Sequence, residues 1–321
     1  MPRREGRFVF IGLLFSEKEK MAASASNPKT SYHARTNSLP SRPHPHIPLV
    51  QEHLCRLKAS EATSSSSPSS SSFSRNIAGL QDLHDCIEEL LLLPYNQQSL
   101  AQKQHERCIN ELLDGSLQLL DLCTTAKDAL LQTKECIQEL QSIMRRRRGC
   151  ELALASEVRK YLTSRKVMKK AVSKALNNLK GMKNKCPFCP PNTENESTIA
   201  LFSILREVET FTVTVFESLL SFISAPKTQS KPSGWSLVSK IMNSKRVACE
   251  EEATEANEFT KVDAALLSVL MTRKFDDKHV ENVQIQLKEL EMSMQVLEGG
   301  LECLFRRLIK NRVSLLNILY H

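Results

Sequence analysis

Apolar residues recur at intervals of three and four along most of the chain beyond residue 76, which is the spacing of one face of an α-helix. The first such run stops at Pro94, a residue that ends or interrupts helices. The second run is long enough for one continuous helix with a bend near Thr124 and Thr125. Together the runs predict helices over about 76–94, 99–148, 198–224 and 260–321, with a further helix inside the basic segment 145–185.

The C-terminal run carries the most regular pattern in the chain. Its apolar residues alternate steps of four and three without a break, at Val283, Leu287, Leu290, Met294, Leu297, Leu301, Leu304 and Leu308. Such a heptad pattern is typical of a parallel coiled coil, but the positions beside it include Gln286, Ser293 and Gly300 instead of paired charges. The pattern therefore favours packing inside a helical bundle, with a coiled coil as the alternative.

Composition supports helices over sheets. The chain has only nine glycines and 5% aromatic residues, whereas sheets favour aromatic residues and need turns rich in glycine. We therefore predict an all-α fold, an elongated helical bundle with long antiparallel helices. We place this helical domain at residues 76–321, with a polar linker near 226–258.

The chain before residue 76 has a different composition. Residues 21–75 are rich in Ser, Pro, Ala and His, so they cannot bury enough apolar surface to offset the entropy lost on folding. We predict a disordered arm there. A short apolar run within residues 1–20 resembles a signal-peptide core, but the charged residues 17–20 after it are unsuited to cleavage. We interpret residues 1–20 as a non-native or dispensable extension.

One segment makes the protein basic. Residues 145–185 contain 14 Lys and Arg against two acids, a net charge of +12, whereas the whole chain carries +8, so the remainder is net −4. This concentration predicts an anionic or acidic partner at one face of a helix. The candidate basic surface consists of Arg145, Arg146, Arg147, Arg148, Lys166, Lys169, Lys170 and Lys174.

Several functions fit a basic helix with an apolar stripe. It can lie on an anionic membrane surface or occupy a calmodulin-type groove, and its opening arginines can act as a nuclear import signal. Nucleic-acid binding is disfavoured, since no stacking or base-reading groups accompany the charge. In the structural alternative, the lysines are merely solvated and the stripe belongs to the core. The stripe consists of Leu154, Val158, Leu162, Met168, Val172, Leu176 and Leu179.

Enzyme motifs are missing from the sequence, which has no Gly-rich phosphate loop, Ser-His-Asp arrangement or HExxH. We therefore expect a non-enzymatic protein with no cofactor and no metal. The rival is a metal or redox protein built on Cys186 and Cys189, although a structural zinc site needs about four ligands and no second pair follows. The ten scattered cysteines favour reduced thiols in a cytosol-like compartment.

The arm contains a recognition motif. Arg35 stands three residues before Ser38, and Pro40 stands two after it. Phosphorylated Ser38 would match the ligand of phosphoserine-binding adaptors of the 14-3-3 class, which clamp the phosphate with arginines. The motif predicts protein partners that include such an adaptor.

Several segments resemble the plant-specific BYPASS-like proteins. The opening Ser31–Pro45, the central Gly79–Leu83 and the ending Arg312–Leu319 carry the resemblance, which covers about residues 21–321. It implies an all-helical plant protein without a known catalytic residue, and a role in root and shoot development. Members of this family typically begin with residues like those at Met21, so residues 1–20 depart from the family pattern.

Localisation follows from these features. No stretch reaches the roughly 18 apolar residues needed to span a bilayer, so we expect a cytoplasmic protein that associates with membranes peripherally. Two alternatives stay open. A Ser-rich arm without an acid before Glu52 is also typical of a plastid transit peptide, and the arginine run is typical of nuclear import.

Overall fold

The computed structural model describes residues 46–64, 68–146, 151–183, 196–225, 257–272 and 277–320. Within these ranges the chain is helical and no strand occurs, so the predicted all-α fold is confirmed. The helices are α1 (His46–Ser64), α2 (Ser70–Leu92), α3 (Pro94–Leu100), α4 (Glu106–Arg146), α5 (Glu151–Lys183), α6 (Glu196–Ser224), α7 (Glu258–Thr272) and α8 (Asp277–Tyr320), with a 3₁₀ turn at Lys103–His105.

Helix α8 lies at the centre of the packing and makes its most extensive contacts with α2 and α4. Each of the eight heptad residues between Val283 and Leu308 is at most 2% exposed. The regular seam is therefore filled by helices of the same chain. The interpretation as a bundle helix is confirmed, and the seam is not free for a parallel coiled coil with another chain.

Polar contacts show that α2 runs parallel to α8. The Gln81 side chain donates to the Gly300 carbonyl at 2.9 Å, and Arg307 donates to both carboxylate oxygens of Asp85 at 2.8 Å. The later position on α2 thus pairs with the later position on α8, as it does in a parallel pair of helices. A parallel pair requires the chain to return to its starting end between the two helices, which the intervening helices accomplish.

Helix α4 runs antiparallel to α8. Lys134 bonds Glu298 at 2.6 Å, whereas Lys127, earlier on α4, bonds Glu302, later on α8. The two helices contain 41 and 44 residues, which corresponds to about 62 and 66 Å at 1.5 Å per residue. The prediction of long antiparallel helices is confirmed by this pair.

The predicted boundary of the arm at residue 75 is wrong, because helix begins at His46. Ile47, Val50 and Leu54 recur at helical spacing and are at most 6% exposed, so this part of the arm does bury an apolar face. Residues 46–64 contain only two serines, so the average composition of residues 21–75 does not describe them. Residues 1–45, with the proposed extension 1–20, lie outside the described residues, as does most of the predicted linker, at 226–256.

Serines also start α2 earlier than predicted, at Ser70 instead of residue 76. The Ser69 hydroxyl accepts from the Ser72 backbone N–H, and the Ser72 hydroxyl lies 3.1 Å from the Ser69 N–H. This reciprocal pair is a capping box, which satisfies N–H groups that have no partner inside the helix. A serine-rich sequence therefore begins a helix here instead of preventing one.

The long second helix also begins later than predicted, at Glu106 instead of about residue 99. Pro94 ends the first run as expected, but it occupies the first turn of the short helix α3, where a missing N–H has no cost. The 3₁₀ turn then separates α3 from α4.

A buried polar network joins α2, α6 and α8 inside the apolar core. The Thr212 hydroxyl donates to the Val208 carbonyl, so it can only accept from His84 Nε2, 3.1 Å away. His84 Nδ1 then accepts from the Asn311 amide at 3.0 Å, and the same amide also bonds the His84 carbonyl. These contacts select the neutral imidazole with its proton on Nε2. Burial, the largest cause, lowers the pKa of His84 from 6.5 to about 4.

We predict that this histidine makes the fold sensitive to acid. The unfolded chain binds a proton near pH 6.5 and the native imidazole only near pH 4, so stability falls as the pH decreases between these values. The loss is about 3 kcal/mol at 1.36 kcal/mol per pKa unit. Denaturant unfolding at several pH values in this window measures it. The unfolding free energy should change less steeply with pH in His84→Gln than in the unmodified protein. An identical dependence on pH in both proteins would contradict the prediction.

Candidate functional site

The orientation of α5 decides which basic side chains are available to a partner. Its apolar stripe faces the bundle, so the structural alternative is correct for these residues. A calmodulin-type groove could receive α5 only if the helix left the bundle. The buried members of the stripe are Leu154, Val158, Met168, Val172 and Leu179, and Leu162 and Leu176 are half-buried.

One arginine of the basic helix belongs to the interior. Arg165 is 3% exposed and donates to Asp263 of α7 through Nε at 3.1 Å and Nη2 at 3.3 Å. Its third contact is the Ile223 carbonyl at the end of α6, at 3.0 Å, and its guanidinium lies 5.1 Å from the centre of the Phe259 ring. Arg165 therefore ties α5, α6 and α7 together.

Asp263 collects three donors from successive turns of α5. Besides Arg165, the Tyr161 hydroxyl donates to it at 2.9 Å and Lys169 Nζ lies 2.9 Å away. Burial would raise the pKa of Asp263, but the Arg165 charge and the hydrogen bonds from Arg165 and Lys169 outweigh it and lower the pKa. The carboxylate thus stays ionised and its charge is neutralised inside the cluster. Burial and the Asp263 charge raise the pKa of Tyr161, which remains a donor.

Next to this cluster, α5 and α7 border an open groove of about 600 Å³. Lys166, Lys170 and Lys174 line it from α5, are exposed, and have no carboxylate partner among the described residues. Five side chains of the lining are cationic and Asp263 alone is anionic, so the lining carries a net charge of +4. We call this feature the lysine groove; it is lined by Leu162, Arg165, Lys166, Lys169, Lys170, Ser173, Lys174, Asn177, Asn178 and Asp263.

The structure brings together the four lysines of the predicted basic surface, but it does not bring Arg145 and Arg146 to them. Arg145 and Arg146 end α4 and do not open the basic helix, so that part of the prediction is wrong. The physical reason is that α4 and α5 pack as an antiparallel pair, in which Glu157 lies close enough to Glu139 to raise its pKa. Both arginines therefore lie toward the beginning of α5, away from the groove.

Other predicted site residues lie outside the described residues. These are the adaptor motif, two of the four arginines and the CxxC pair. Their numbers are Arg35, Ser38, Pro40, Arg147, Arg148, Cys186 and Cys189.

Sequence reasoning missed the residues that organise the groove. Asp263 is about 100 positions from its partners, and no local pattern announces such a pairing. A signal for Arg165 did exist, because it follows the buried Val158 by seven positions and thus falls on the apolar face of α5. A cation at a core position predicts a buried acidic partner, since an unpaired buried charge is too costly.

The remaining described residues show little reactive chemistry. No three His, Cys, Asp or Glu side chains among them are grouped so that they could hold a metal ion. Burial raises the pKa of the Cys123 thiol to about 12, so this cysteine stays protonated. None of the described helices combines the length and the apolar character that crossing a bilayer requires.

Fold and site together define a helical protein that presents a basic groove beside a half-buried carboxylate whose charge is neutralised. A family model described as Protein BPS1 matches residues 76–318, about three quarters of the chain, and the chain belongs to this family. The resemblance to BYPASS-like proteins is confirmed, and membership indicates a plant regulatory protein. The match begins inside α2, ends near the end of α8 and leaves α1 outside. No curated protein and no solved structure matches the chain.

We predict that Asp263→Ala destabilises the fold by about 3–5 kcal/mol, because it leaves the Arg165 charge buried without its partner. Asp128→Ala, at an exposed position of α4, is the matched control and should change stability by no more than about 0.5 kcal/mol. Denaturant unfolding measures both. Adding Arg165→Met to Asp263→Ala should recover part of the loss. Equal effects of the two aspartate substitutions would show that the pair contributes little.

Proposed function

We propose that the chain is a non-enzymatic regulatory protein of plants, connected with root and shoot development, that acts by binding other molecules. Membership of the BPS1 family supports the regulatory role. The proposal also places the protein in the cytoplasm, with part of it held peripherally at a membrane.

The lysine groove is the observation that supports membrane attachment. Lys166, Lys170 and Lys174 follow one another at intervals of four, so they form a row along the exposed side of α5. Their side chains are free of acidic partners among the described residues, so no intramolecular ion pair must break before they meet an anionic surface. Clustered basic residues of this kind bind the anionic lipids of the cytoplasmic leaflet.

We predict salt-sensitive binding of the full chain to vesicles that contain phosphatidylserine. Each lysine near such a surface raises the binding affinity by roughly a factor of five. The triple variant Lys166→Gln, Lys170→Gln and Lys174→Gln should therefore bind about 100-fold more weakly. Lys169 is left in place because it bonds Asp263. Vesicle co-sedimentation measures the loss of binding. The difference between the variant and the unmodified chain should become smaller as added salt shortens the screening length below about 8 Å.

The matched control is Lys103→Gln with Lys278→Gln and Lys288→Gln, which removes the same charge from exposed positions outside the groove. It should retain most of the binding. Equal losses in both triple variants would mean that net charge, and not the groove, attracts the vesicles. Full binding by the groove variant would exclude α5 as the contact.

A second partner is proposed for the arm, on the motif of Arg35, Ser38 and Pro40. We predict that phosphorylation of Ser38 creates a ligand for an adaptor of the 14-3-3 class, since the phosphate adds about −1.5 to −2 charge for the arginines of the adaptor. A peptide of residues 31–45, with and without phosphate on Ser38, should bind only when phosphorylated. The titration is done with a plant adaptor protein.

The same peptide with phosphate on Ser41 instead provides the control. It keeps a proline two residues after the phosphate but lacks a basic residue three before it. Weaker binding of this peptide is expected. Equal affinity of all three peptides would rule out the adaptor.

A further inference from the structure

We propose that the lysine groove is a binding site for a compact anion that carries several phosphate groups, such as an inositol polyphosphate or the headgroup of a phosphoinositide. This inference rests on the proposed attachment of the α5 lysines to anionic partners, and it goes further by assigning a discrete ligand to the groove. The alternative is a diffuse attraction between any basic face and any anionic surface.

The spacing of the charges fits several phosphates at once. Lys166, Lys170 and Lys174 are separated by four residues each, which is about 6 Å along the helix axis and about 12 Å from first to last. Lys169 lies beside this row, on the side toward α7. A groove of about 600 Å³ is in the size range of small-ligand sites. Four ammonium groups around such a volume suit a ligand whose charges are clustered in one small body.

Neutral donors complete the lining. Ser173, Asn177 and Asn178 are exposed and line the same groove. Ser173 lies beside Lys174, and the two asparagines follow one turn further along α5. A hydroxyl and two side-chain amides can donate to phosphate oxygens that the lysines do not reach. A diffuse electrostatic attraction does not require these neutral donors, whereas a bound phosphate cluster has many acceptor oxygens that need hydrogen-bond donors.

The wall behind the lysines is fixed and nearly free of repulsion. Asp263 is the one acid of the lining, and Arg165, Tyr161 and Lys169 all bond to it. Its charge is thus cancelled before any ligand arrives, and Arg165 cannot turn toward solvent without losing its bond to the Ile223 carbonyl. The groove is therefore organised in the absence of a ligand, which reduces the entropy that binding would otherwise cost.

The first experiment titrates the full chain with inositol hexakisphosphate at physiological ionic strength, with inorganic sulfate as the reference anion. We expect saturable binding of the phosphate compound at least about 100-fold tighter than that of sulfate, since several lysines each contribute roughly a factor of five. The triple variant at Lys166, Lys170 and Lys174 should lose this preference for the phosphate compound over sulfate. The triple variant at Lys103, Lys278 and Lys288 should keep it.

A variant of unchanged charge separates a built site from diffuse attraction. Asn177→Ala with Asn178→Ala removes two donors from the groove and leaves every lysine in place. It should weaken inositol hexakisphosphate binding several-fold while leaving attachment to phosphatidylserine vesicles unchanged. Binding of the phosphate compound that is insensitive to both asparagines would overturn the assignment of these donors and, with it, the discrete site.

The second experiment compares the two sources of the ligand. Vesicles with phosphatidylinositol bisphosphate and vesicles with phosphatidylserine are matched in total charge, and soluble inositol hexakisphosphate is added as competitor. Preference for the phosphoinositide vesicles identifies a lipid headgroup as the ligand. Tight binding of the soluble compound without vesicle binding identifies a free polyphosphate and removes the membrane from the proposed function.

Equal attachment to both vesicles, without competition by the soluble compound, would overturn this inference and leave the membrane attachment standing. Binding to neither vesicles nor soluble compound would overturn both.

Discussion

The packing of α8 between α2 and α4 is the constraint on which the other helices depend. Its seam is almost fully buried over eight residues, and each of the two partners runs along much of its length. Truncating one such leucine to alanine typically costs about 2–5 kcal/mol, against a total stability of about 5–15 kcal/mol for a domain. The remaining helices pack on the surfaces that this central group leaves apolar.

Apolar packing alone would allow these helices to slide against one another, and the buried polar groups prevent it. The bonds of His84 to Thr212 and Asn311 are possible at one relative position of α2, α6 and α8. The pair of Arg165 and Asp263 does the same for α5 and α7. The lysine groove thus depends on this pair for its shape, because the pair holds Asp263 of α7 in the lining beside α5.

The sequence predicts most of the helices and the lysines of the groove, because both follow from local periodicity. Lys166, Lys170 and Lys174 repeat every four residues, so their common side needs no tertiary information. Helix α1 does not follow from the average composition of residues 21–75, although Ile47, Val50 and Leu54 have the spacing of a helix face. Asp263 was missed for a different reason: its pairing joins segments about 100 residues apart, and such a pairing leaves no local trace. The break between α4 and α5 is also absent from the prediction. It results from the antiparallel packing of the two helices, which divides the basic segment and is not visible in local periodicity.

The parallel arrangement of α2 and α8 has a consequence for synthesis. His84 and Asn311, which bond in the core, are 227 positions apart. At about 5–20 residues per second, the ribosome needs roughly 10–45 s to make the second after the first. During that time the apolar faces of α2 and α4 lack the helix that covers them in the native protein. The nascent chain therefore exposes these surfaces until its last helix emerges, and a chain that stops before α8 has no complete core to fold around.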